Sequence, residues 1–101
     1  MIHTDLIVIY TDQLEACRIF YSGLGLMFAR EQHGQGPEHY AAAVGSTVLE
    51  LYPSGDKPPT GRLRLGLTIH TADGLPLPPG QHILTDPDGR TVALTTPESA
   101  G

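Results

Sequence analysis

The chain is 101 residues long, enough for one domain with one modest core. Its 40% apolar and 17% charged residues exclude a disordered chain, and a single cysteine, Cys17, excludes both an internal disulfide and a thiolate zinc cluster. A net charge of −5, with six scattered Lys and Arg, excludes the basic stripe of a nucleic-acid binder, and no run approaches the roughly 18 to 20 apolar residues of a membrane span, so a cytoplasmic protein without a signal peptide is expected.

The first element is a strand over Asp5 to Tyr10, short, apolar and β-branched. A helix follows, with Asp12 as N-cap and Glu15 three residues later as a capping box. Leu14, Cys17, Phe20, Tyr21 and Leu24 recur at helical spacing, and Gly23 and Gly25 supply the stop. Three strands are then expected, at Leu26 to Glu31, Glu38 to Val44 and Thr47 to Tyr52, with turns at Gly34 to Pro37 and Gly45-Ser46.

The polar stretch Ser54 to Gly61 reads as a linker. Beyond it come strands at Arg62 to Thr71, Gln81 to Thr85 and Arg90 to Thr96, the last two joined by the tight turn Asp86-Pro87-Asp88-Gly89. Three prolines forbid a helix between the first two of these strands. The second half therefore reads as a reduced copy of the first, with its helix missing. An α+β class is expected, as a βαβββ module over 3–53 and a reduced module over 62–96, both within a single domain.

Three stretches carry a family resemblance: FYSGLGL at Phe20 to Leu26, TVLELYP at Thr47 to Pro53, and DPDGRTVAL at Asp86 to Leu94. In this order and spacing the chain resembles the vicinal oxygen chelate superfamily, which includes glyoxalase I, extradiol dioxygenases and bleomycin-binding proteins. The resemblance implies antiparallel sheets curled into a cup that holds a ligand or metal, and frequent homodimers. It also implies four metal-ligand positions. These fall on Asp5 (seven residues before Asp12), on Glu50, on Arg64 or Leu65, and on Ala93. Only Asp5 and Glu50 are donors, whereas catalytic zinc sites use at least about three protein ligands, so neither a bound metal nor any other cofactor is expected. His3 and His70 are the residues that would have to replace the lost ligands.

The expected binding residues are Asp5, Glu50, Arg64 and His70, since the Asp5, Glu50 and Arg64 faces would line the cup. Glu50 either serves a polar or cationic ligand or forms a structural pair with Arg64, because a buried carboxylate is costly without a partner. Cys17 and Tyr21 read as core, and His33, His39 and His82 receive no role. A homodimer is expected, because the missing helix would leave Leu63, Leu65, Leu67 and Ile69 uncovered. Three functions compete: a metal-independent small-molecule-binding protein, a metal-dependent lyase or dioxygenase, and a vestigial interaction domain.

Overall fold

The computed structural model describes residues 1–70 and 77–98. Among them lie one helix and seven strands, in the order β1 (Leu6–Thr11), α1 (Leu14–Gly23), β2 (Ala29–Glu31), β3 (His39–Val44), β4 (Thr47–Pro53), β5 (Arg64–Thr68), β6 (Gly80–Thr85) and β7 (Thr91–Thr96). The class is α+β, and the first five elements form the βαβββ module. The proline-rich connection between β5 and β6 falls mostly on 71–76, outside the described residues.

The strands form two separate sheets that do not close into a barrel, ordered β1-β4-β3-β2 and β5-β7-β6. Each sheet is mixed rather than wholly antiparallel: β1 runs parallel to β4, and β5 parallel to β7. The cause in the first module is α1. It carries the chain back along the sheet, so the third strand of the following meander points the same way as β1.

The helix starts differently from the expected capping box. Gln13 occupies the N-cap position with φ −126° and ψ 58°, and no side chain caps the helix. The Thr11 hydroxyl accepts the Gln13 amide at 2.9 Å, while Asp12 turns away to accept the Ser54 hydroxyl. Glu15 binds Arg18 Nε at 2.8 Å instead of folding back on the backbone. The far end is a Schellman turn: Leu26 N–H bonds Tyr21 O at 3.3 Å, Gly25 N–H bonds Ser22 O at 3.0 Å, and Gly25 has φ +110°.

One core serves both sheets. Ile9, Leu49, Leu51 and Ala42 of the first sheet pack with Cys17, Tyr21 and Leu24 of the helix and with Leu65, Val92 and Leu94 of the second sheet. Each such side chain removed from water contributes on the order of 1.5–3 kcal/mol. This packing corrects one expectation. Leu65 is buried, and Leu63, Leu67 and Ile69 pack against the core, so the described residues themselves cover the β5 face. Exposed apolar side chains lie elsewhere, among them Leu6 (54% exposed), Tyr10 (46%), Val48 (38%) and Ile83 (64%) on the strands, with Ile19 on the helix and Met27 after it.

The DPDG turn also ties the two modules together. Asp86 Oδ1 accepts the amides of Asp88 and Arg90, each at 2.9 Å, which closes the turn. Asp86 Oδ2 accepts Arg90 Nη1 at 2.9 Å, and Arg90 Nη2 reaches the carbonyls of Tyr10 and Thr60 at 3.1 Å. Asp88 accepts hydrogen bonds from Thr11 and Gln13 at the entry to α1.

Candidate functional site

Parallel register pairs Leu6 with Val48, Val8 with Glu50 and Tyr10 with Tyr52. Directly paired residues point to one side of a sheet, so these six share a face, opposite the face that carries Ile7, Ile9, Leu49 and Leu51 into the core. Antiparallel pairing of Ala41 with Glu50, and of Glu31 with His39, extends the open face across β3 and β2.

The polar centre of this face is Glu50, whose side chain is 14% exposed. Its charged-group neighbour is His39, with Nε2 3.6 Å from the Glu50 carboxylate. His39 is buried and stacks on Tyr52, with ring centroids 4.0 Å apart and planes 11° apart. Its Nδ1 lies 3.2 Å from the Pro37 carbonyl. Glu31 approaches His39 Nε2 at 3.4 Å, and His33 Nε2 approaches Glu31 at 3.7 Å. Tyr10 lies beside Tyr52, with centroids 5.8 Å apart. Burial, and after it the negative charge of Glu50, raises the Tyr52 phenol above its ordinary value, so it is a neutral hydroxyl near pH 7. A depression of about 570 Å³ opens beside these rings, lined by Tyr10, Pro37, Tyr52, Pro53, Ser54 and Lys57.

The other residues expected at the site lie apart from Glu50. Asp5 precedes β1 and alternates with Ile7 and Ile9, not with Val8, so the expected sharing of a face by Asp5 and Glu50 does not occur. Its carboxylate is 82% exposed and pairs with His3 at 2.9 Å. Arg64 is exposed at the start of β5, opposite Thr91 in the second sheet, so of the two readings of Glu50 the structural pair with Arg64 does not form, and His39 is the group beside Glu50. His70 lines a separate cavity of about 250 Å³ with Leu24, Leu26, Val44 and Ile69. Sequence reasoning passed over His33, His39 and Glu31. The available signal was a Glu and a His placed to pair across a hairpin whose loop carries a second His.

Cys17 is fully buried, and burial raises its thiol above the ordinary value, so it is no nucleophile.

No protein-family model matches the chain, and no curated protein does. Solved structures do. TnmS3, an antibiotic binding protein from Streptomyces sp. CB03234, aligns with a TM-score of 0.62 at 22% identity, over 97% of this chain and 98% of that one. Lactoylglutathione lyase from Agrobacterium tumefaciens aligns at 0.61 and 17% identity, over 93% and 92%. The hypothetical protein SA1046 from S. aureus aligns at 0.63 and 15%, over 95% of each chain. These likenesses show a shared fold, consistent with the one that the resemblance to the vicinal oxygen chelate superfamily implies. At the superfamily's metal positions the residues present do not fit an ion. Asp5 stands off the Glu50 face, Arg64 and Ala93 donate nothing to a cation, and both lie in the other sheet.

Among the described residues, no helix is long and apolar enough to cross a membrane.

Proposed function

We propose that this chain is a small-molecule-binding protein whose ligand meets the protein directly, with no metal at the superfamily's positions between them. The observation that carries this reading is the open face of β1 and β4. There two tyrosine rings, Tyr10 and Tyr52, stand 5.8 Å apart with the carboxylate of Glu50 on the same face. Such a face suits a flat ligand with a cationic or hydrogen-bond-donating edge: rings take the plane and the carboxylate takes the edge. Binding rather than turnover is also supported by the inert Cys17 and by the likeness in fold to an antibiotic binding protein. A homodimer is part of the proposal, since Leu6, Tyr10, Val48 and Ile83 leave apolar surface on both sheets.

The test is a thermal-shift screen with flat cationic compounds. A ligand specific to the folded state raises the melting temperature in proportion to its affinity. The expected result is at least one such shift, lost in Tyr52→Ala and in Glu50→Gln while the unliganded melting temperature of Glu50→Gln stays near that of the parent. Failure of every compound, or shifts indifferent to both substitutions, counts against the reading.

A further inference from the structure

The geometry points to a divalent-cation site of the zinc class formed by Glu31, His33, His39 and Glu50. It goes beyond the ligand-binding reading and shares only Glu50 with it, so zinc and the cationic edge of a ligand would compete for that one carboxylate. The other three donors lie on β2, on β3 and in the loop between them, away from the superfamily's metal positions.

Four donor atoms converge there, one from each residue, all within 4.8 Å of one another. Three of the separations are 3.4, 3.6 and 3.7 Å. These are long for charge-assisted hydrogen bonds, which fall at about 2.7–2.9 Å. They approach the edges of a tetrahedron with metal–ligand bonds of about 2.0–2.2 Å, which are about 3.3–3.6 Å long.

The tautomer of His39 supplies the independent argument. Its Nδ1 faces the Pro37 carbonyl, which can only accept, so Nδ1 carries a proton. The other ring nitrogen, Nε2, is the candidate ligand atom. That nitrogen is buried in a side chain 1% exposed, has no hydrogen-bond partner, and faces the carboxylates of Glu31 and Glu50. A cation held between this unpartnered nitrogen and the two carboxylates would satisfy all three. Metal-bound histidines characteristically donate their other ring N–H to a carbonyl or carboxylate, as His39 does to Pro37. Imidazole and carboxylate donors together suit zinc. Burial fixes His39 and nearly fixes Glu50, whereas Glu31 (40% exposed) and His33 (73%) close the site from the solvent side.

The experiment uses the full chain stripped with a chelator and titrated with zinc against a chromophoric competitor, with melting curves in parallel and no organic ligand present. It can therefore fail or succeed independently of the ligand-binding proposal. One zinc per chain and a raised melting temperature are expected. Because His33 is exposed, His33→Ala should leave the metal-free melting temperature unchanged while weakening zinc at least about tenfold, the scale seen even for partners of direct ligands. Glu31→Gln should act likewise, and His39→Gln should abolish binding. Cobalt in place of zinc should give the visible absorption of a tetrahedral ion, reduced in His33→Ala. Absence of stoichiometric zinc overturns the proposal. So does binding that survives both His33→Ala and Glu31→Gln, or that is lost instead in His3→Ala, a second His–carboxylate pair among the described residues. Nitrogen NMR showing both His39 nitrogens protonated at pH 7, unchanged by zinc, would assign the cluster to an imidazolium ion pair and also overturn it.

Discussion

Tyr21 and Asp86, 65 residues apart, share a buried hydrogen bond in which the Tyr21 hydroxyl donates to Asp86 Oδ2 at 2.7 Å. It joins the helix of the first module to the last turn of the second. The same Asp86 oxygen also accepts Arg90 Nη1, so a phenol and a guanidinium converge on one carboxylate. Tyr21→Phe removes one donor and leaves the ion pair. A loss of about 1.5–3 kcal/mol is expected, the range for hydrogen bonds to charged groups. Arg90→Ala leaves the Asp86 charge buried without its main partner and should cost about 3–5 kcal/mol. Urea denaturation of both variants checks the order. Equal effects would show that the phenol and the guanidinium are not ranked as stated.

Stability should fall at both ends of the pH range for identifiable reasons. Burial pushes the Asp88 carboxyl up, but hydrogen bonds from Thr11 and Gln13 and the charge of Arg90 together outweigh it, and the net shift is downward. A depressed carboxyl contributes stability in full above its unfolded value, about 3.9, and loses it as pH falls through the folded value. For Tyr21, burial and then the Asp86 hydrogen bond raise the phenol strongly. Its contribution is therefore complete below about pH 10 and declines above it. Asp88→Asn should flatten the acid limb of a stability profile, and Tyr21→Phe the alkaline limb. Unchanged limbs would remove both groups from the account.

Cys17 should resist modification in the native protein. It has no exposed surface, and burial holds the thiol protonated near neutral pH. Reaction with an aromatic disulfide reagent must wait for the core to open, so it should run at least about a thousandfold slower than in the unfolded chain. Labelling at the rate of a free thiol in native buffer would show that α1 does not pack as described.

Light scattering at micromolar concentration should report a dimer. The surface responsible is the open face of the first sheet, with Leu6 and Val48 paired in register, and not the β5 leucines, which the core already covers. Val48→Glu should yield a monomer of unchanged secondary structure. A parent protein that is already monomeric contradicts the expectation directly.

Much of the architecture was legible in the sequence because it rests on local periodicity. The alternation of Leu63, Leu65 and Leu67, the helical stripe through Leu14, Cys17, Tyr21 and Leu24, and the glycine-ended turns each belong to a single segment. The likeness to the vicinal oxygen chelate fold rested on three such segments in order. What the tertiary structure alone decided is which segments meet and in what phase. Alternation groups Asp5 with Ile7 and Ile9, but only the pairing of Val8 with Glu50 reveals that Ile7 and Ile9 face the core and that Glu50 faces away, while Asp5 stands exposed ahead of the strand. The convergence of His39 with Glu31 and Glu50 requires two strand pairings and a stacked Tyr52. The DPDG turn was readable as a turn. Its role as a clamp, through Arg90 and Tyr21, depends on a helix brought to it from the far end of the chain. Local chemistry determines the shape of each piece, because backbone sterics and side-chain spacing act over a few residues. Register and long-range contact are set by the shared core, and no single segment contains that information.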